Sequence, residues 1–174
     1  MDTNPLAASV DVVLADQTEA FADGLTVLTR LTQGKVFLCK EVGAKVPTTA
    51  DVTVAEFEGV HPAGLAGTHI HFLDPVGANK TVWHIGYQDV MAIGSLFTTG
   101  EIDSRRVVAI GGPAANNPRL VRTHAGADCA ELTASEMADG EVRVVSGSVL
   151  QGTNAHGVHG FLGRYHTQLS LLME

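Results

Sequence analysis

Cysteine is scarce: Cys39 and Cys129 are the only two, far apart and in no Cys-x-x-Cys pair. Iron–sulfur or zinc ligation by cysteine is therefore unavailable, and two lone thiols fit a reducing compartment. Positive charge is scarce too. Eleven Lys and Arg against nineteen Asp and Glu leave a net charge of −8. That argues against nucleic acid, which calls for a basic face, and against simple electrostatic adhesion to an anionic leaflet. Long apolar runs are missing: no stretch nears the roughly 18 uninterrupted residues of a membrane span. Asp2 and Asn4 stand where a signal peptide would be basic, and no apolar core follows. Nor is there a G-x-G-x-x-G after a strand, a G-x-x-x-x-G-K-[ST] or a G-x-S-x-G. Neither half of the chain shows a phosphate cradle or a nucleophile elbow.

What the chain has is histidine. Four of its eight fall in His61-Pro62-Ala63-Gly64-Leu65-Ala66-Gly67-Thr68-His69-Ile70-His71-Phe72-Leu73-Asp74-Pro75 and the following Thr81-Val82-Trp83-His84-Ile85-Gly86. On a strand, His69 and His71 would share a face and could chelate one metal. On a helix the same spacing turns them about 200° apart. The local signals predict a helix. Pro62 suits a first turn, the apolar residues show no period of two, and Asp74-Pro75 makes a stop. No Cys or Glu stands beside the pair at zinc-ligand spacing. Satisfied or exposed histidines are therefore the expectation over a metal site. Gly64-Leu65-Ala66-Gly67 lies within that helix, so it cannot offer successive N–H groups to a phosphate unless the helix begins later.

These strings carry a resemblance. His61 to Val76, Thr81 to Gly86 and Gly111-Gly112-Pro113 resemble the NqrA family, the A subunits of the bacterial sodium-translocating NADH:quinone reductase. So do Asp2-Thr3-Asn4-Pro5-Leu6-Ala7, Gly34-Lys35-Val36, Phe97-Thr98-Thr99-Gly100-Glu101, Asn117-Pro118-Arg119-Leu120-Val121-Arg122 and Leu162-Gly163-Arg164-Tyr165-His166. Together they cover most of the chain. Members of the family are considerably longer, so the expectation is a central fragment without the family's N-terminal and C-terminal regions. The resemblance implies a Rossmann-like region followed by a soluble-ligand-binding (SLBB) β-grasp domain. It also implies a peripheral position on the cytoplasmic face of the bacterial inner membrane, with attachment through the other subunits. The whole complex passes electrons from NADH through flavins and an iron–sulfur centre to ubiquinone and exports sodium. This stretch is expected to bind none of those cofactors and to serve docking and scaffolding. No residue here can be tied to sodium passage.

Patterning gives the organisation independently. Asp16 and Glu19 have the form of a capping box. Phe21, Leu25, Leu28 and Thr32 then mark one helical face, closed by Gly34. Lys35–Lys40 and Val52–Phe57 read as strands, as does Thr81–Ile85. Tyr87–Thr99 reads as a helix with Val90, Ile93, Leu96 and Phe97 inward. That order predicts an α/β layer with a mostly parallel sheet over residues 1–103. From 104 to 174 the texture changes. Arg106–Ile110, Leu120–Thr123, Glu141–Ser146 and Arg164–Leu172 read as strands. A brief helix from the Asp128/Glu131 capping box to about Met137 lies among them. Strands around one short helix predict a ubiquitin-like β-grasp module.

Candidate chemistry is sparse. His61, His69, His71, His84 and Asp74 are the acid–base candidates. Given the resemblance, Trp83, His84, Tyr87 and His61 are the candidate quinone-binding residues, since a quinone slot wants aromatic walls and one or two donors. The plainer expectation turns Trp83 and Ile85 into one layer and satisfies His84 on a backbone group. Ser148, Thr68 and Cys39 lack a paired base, so no catalytic nucleophile is expected. Arg105-Arg106 and Arg119/Arg122 could dock an acidic partner, although a solvated face is commoner. An autonomous quinone- or flavin-binding module is the competing reading. A metal-dependent enzyme built on His69 and His71 is the third.

Overall fold

Two units divide residues 1–174, all of which the computed structural model describes. Unit 1 holds Met1–Thr3 and Ser9–Asp103, and unit 2 holds Asn4–Ala8 and Ser104–Glu174.

In unit 1, a short α1 (Val10–Leu14) leads to α2 (Thr18–Leu31), β1 (Val36–Glu41), β2 (Val52–Phe57), α3 (Ala66–Leu73) and α4 (Tyr87–Thr99). β1 and β2 pair in parallel, with Val36 opposite Val52 and Lys40 opposite Glu56. Lys40 Nζ reaches the Glu56 carboxylate at 2.6 Å across that pair. The pairing is parallel as expected of an α/β layer, but the sheet has two strands, because Thr81–Ile85 forms none.

The helices of unit 1 depart from the sequence pattern in instructive ways. α2 begins at Thr18 with Gln17 in the cap position and no side-chain capping bond, so the Asp16/Glu19 box is one residue out of register. α3 starts at Ala66, not at Pro62. The His61–Pro62 bond is cis, and Leu65 N–H closes a turn onto Pro62 O. On α4 the inward residues are Val90, Met91 and Gly94, while Leu96 and Phe97 face outward. The reason lies in two glycines. A Cβ on Gly94 would sit 1.8 Å from the Ala20 carbonyl oxygen, and one on Gly24 would sit 2.0 Å from that of Val90. α2 and α4 therefore pack backbone to backbone, and the contact face follows the small residues, not the largest apolar ones.

Unit 2 contains β3 (Arg105–Gly111), β4 (Arg119–His124), α5 (Cys129–Thr133), β5 (Val142–Ser146), β6 (Thr153–Asn154) and β7 (Gln168–Met173). Its sheet runs β4-β3-β7-β5-β6. The first and last strands are parallel neighbours at the centre, flanked by antiparallel β4 and β5. Second, first, fifth, third, fourth with a helix between the second and third strands is the β-grasp order. Val108, Ile110, Cys129, Leu162, Leu169 and Leu171 form its core. Asp128 caps α5 as its sequence predicts, accepting from Ala130 N–H at 2.7 Å and Glu131 N–H at 3.3 Å. The helix stops at Thr133, short of Met137, and the chain beyond it buries Glu136 against the Arg119 guanidinium.

Candidate functional site

The histidine-rich segment is built around Thr3. Thr3 Oγ1 accepts the Gly64 N–H at 2.8 Å, and Thr3 O lies 3.1 Å from His61 Nδ1. A carbonyl can only accept, so His61 carries its proton on Nδ1. A Cβ on Gly64 would meet the Thr3 backbone nitrogen at 2.5 Å, which explains why glycine stands there. α3 begins after this knot, and the Gly64 N–H is already satisfied by a hydroxyl. Leu65 holds the cap position of α3 in an extended conformation.

Helical geometry separates His69 from His71. His69 is 7% exposed, its Nε2 donates to Ala63 O at 2.8 Å, and its ring lies 4.2 Å from that of Phe57. Burial pulls its pKa below the usual value, so it is a neutral core residue. His71 is exposed and stands edge-on to Phe72 at 5.2 Å. The two do not converge on a shared point, which removes the geometric basis of the metal-enzyme reading. Asp74 pairs with Lys80 at the surface.

The candidate quinone residues lie around the start of α4. Thr81–Gly86 forms neither helix nor strand, and Trp83 is 89% exposed, so the expected packing of Trp83 and Ile85 into one layer is not formed. His84 is exposed beside it. Tyr87 opens α4 with its ring partly buried and its hydroxyl 3.5 Å from Gln88 Nε2. Desolvation pushes the phenol up, so it is a neutral donor at physiological pH. Trp83, His84 and Tyr87 are neighbours in sequence, and His61 is tied to Thr3.

The nucleophile candidates are occupied. Thr68 Oγ1 donates to Pro62 O at 2.9 Å, and Ser148 Oγ accepts from Leu150 N–H at 3.0 Å. Burial pushes the Cys39 thiol up, away from a reactive thiolate. The arginines are not simply solvated. Arg106 is buried, with Nη1 donating to Arg105 O at 2.8 Å, and Arg119 holds the Glu136 carboxyl below its usual range.

One constellation escaped the sequence pattern. Ser146 Oγ accepts the Gly163 N–H at 3.0 Å and lies 2.8 Å from His166 Nδ1. Its one hydrogen is thus free to point at Nδ1. Burial lowers the His166 pKa and raises that of Cys129. Ser146 is almost wholly buried, which makes this a packing knot and not a nucleophile facing solvent. Residues twenty apart give no local signal of it.

An α/β unit followed by a β-grasp unit defines the class. Two family models match it in that order: the NqrA second alpha/beta domain over residues 1–102 and the NQRA C-terminal domain over residues 107–157. The chain belongs to the NqrA family. It is 67% identical over 174 residues to the A subunit of the Na(+)-translocating NADH-quinone reductase of Marinomonas sp. strain MWYL1. It is 59% identical over 174 residues to that of Mannheimia succiniciproducens and 56% identical over 176 residues to that of Neisseria gonorrhoeae. Each comparison covers 100% of this chain and 39% of the relative.

Proposed function

We propose that this chain is a docking and scaffolding piece of the A subunit of a sodium-translocating NADH:quinone oxidoreductase, peripheral on the cytoplasmic face of the membrane. The complex would oxidise NADH, reduce ubiquinone and export sodium. The electron carriers, flavins and an iron–sulfur centre, would sit in neighbouring subunits. The identity of 67% along the whole chain to a protein bearing that name is the observation that carries the reading. Other features support it. No helix is long and apolar enough to cross a membrane. The chain has two cysteines, fewer than the four thiolates of a common iron–sulfur cluster, and burial pushes both thiols up. Large apolar side chains stand exposed at Val60, Phe72, Trp83 and Phe97 in unit 1 and at Val158 and Tyr165 in unit 2, as surfaces normally covered by partners would be.

The second reading is a quinone- or flavin-binding module within the same protein. What favours it is the neutral Tyr87 phenol close in sequence to the exposed Trp83 and His84. Titration with a short-chain ubiquinone, followed by Trp83 fluorescence, separates the two. Scaffolding predicts linear, non-saturating quenching that is unchanged in His84→Ala. Saturable quenching in the micromolar range, weakened by His84→Ala, would install the quinone reading instead.

A further inference from the structure

Asn4–Ala8 belongs with unit 2, although almost a hundred residues of unit 1 separate it from β3 in sequence. The segment is a tight turn: Ala7 N–H donates to Asn4 O at 3.1 Å, with Pro5 and Leu6 at the corner. Proline fixes the first corner position, and Leu6 takes φ +67°, the left-handed value that the second corner position of a type II turn demands and that glycine normally fills. A leucine held there needs a compensating contact. Its side-chain carbons lie 3.8–3.9 Å from where a Cβ on Gly111 would stand, so it rests on the glycine that ends β3. The turn also points the Pro5 carbonyl at unit 2, where Gln168 Nε2 donates to it at 2.8 Å. Gln168 is only 3% exposed, at the start of β7, and its amide also reaches Ser170 Oγ at 3.2 Å. Gln151 Nε2 donates to Asn4 Oδ1 at 3.0 Å from the loop between β5 and β6.

We propose that Gly111, Gln151 and Gln168 form a docking groove of the β-grasp unit for an Asn-Pro-Leu turn, filled in cis by residues 4–8 of the same chain. Three features make this a receptor site and not a chance contact. A buried primary amide must find acceptors, and the strap supplies one. Leu6 packs over the glycine that ends β3, at a distance that even a Cβ there would meet as ordinary van der Waals contact. The strap meanwhile holds a non-glycine residue in a disfavoured conformation, which persists only where surroundings over-determine it. The Asn4–Ala7 string thereby gains a role separate from docking to other subunits.

Hydrogen exchange on the 174-residue protein tests the proposal. Leu6→Asp, at a half-exposed position, should speed exchange in peptides covering 108–112 and 166–173 by roughly tenfold or more. Exchange in α2 and α4 should stay unchanged. A synthetic peptide with the sequence of residues 2–9, added in large excess, should restore protection in those two regions. Unchanged exchange in Leu6→Asp, or a peptide without effect, overturns the groove. If Leu6→Asp loosens α2 and α4 as well, Leu6→Ala replaces it and the same two regions decide the outcome.

Discussion

His69 and His166 are neutral imidazoles held in polar contacts, one in each unit, and burial lowers the pKa of both. The unfolded chain takes up their protons near the ordinary value of about 6.5, while the folded protein resists. Their contribution is therefore complete above that pH and declines as pH falls below it. Urea midpoints should be flat from neutral pH upward and fall on the acid side, with a shallower fall in His69→Gln and His166→Gln. A profile identical in both variants would contradict the assignment. Glu136 has the opposite sign. Its carboxyl is held below the usual range by Arg119, so the pair stabilises above the ordinary carboxylate value and fades as pH falls through the lowered one. Arg119→Leu should lower Tm at neutral pH by leaving a buried carboxylate without its counter-charge, and the difference from the parent should shrink in acid. A difference that holds constant down to pH 3 would mean the guanidinium acts through packing alone.

At the scale of elements, α2 and α4 set the hardest constraint in unit 1. Alanine at position 94 would gain about 1 kcal/mol in helix propensity over glycine. It would also place a methyl group 1.8 Å from a backbone oxygen, which no rotamer change relieves. Overpacking of that kind costs about 1–3 kcal/mol or more. The steric term wins, and Gly94→Ala should lower Tm and loosen α2 together with α4 in exchange measurements. A raised Tm would show that the helices have room to spare. The same contact explains what was legible. Four of the five strands of unit 2 and the Asp128 cap announce themselves through alternation and a local side-chain bond, both short-range signals. The two-residue β6 does not, and β7 begins at Gln168 and not at the expected Arg164. The inward face of α4 does not announce itself, because an apolar periodicity weights Leu96 and Phe97 and gives a glycine no weight. Thr81, Val82, Trp83 and Ile85 are all residues a strand favours, yet β propensity describes a fit to neighbours, and here no neighbour pairs with them. Of the candidate site, the residue types around Trp83 could be read directly. That His61 would be tied to Thr3, and Ser146 to His166, could not, since partners 58 and 20 residues away leave no pattern in a window.

At the scale of the molecule, the β-grasp unit is closed by its two ends: β3 and β7, first and last in order, lie side by side at the middle of its sheet. Cys129, buried in that unit's core, should therefore react with a thiol reagent only after global opening of unit 2, whereas half-buried Cys39 reports on unit 1. Labelling across a urea series should give two separable midpoints if the units unfold independently and one if they do not. The bond from Gln168 to Pro5 joins positions 163 apart. A ribosome delivers this chain from Pro5 toward Gln168, at about 5–20 residues per second. Residues 4–8 thus leave the ribosome well before the strand that receives them. In the meantime all of unit 1 has left the ribosome. The order of translation favours completion of unit 1 first, and stalling the nascent chain before Gln168 would leave the turn exposed to protease while α2 and α4 are already protected.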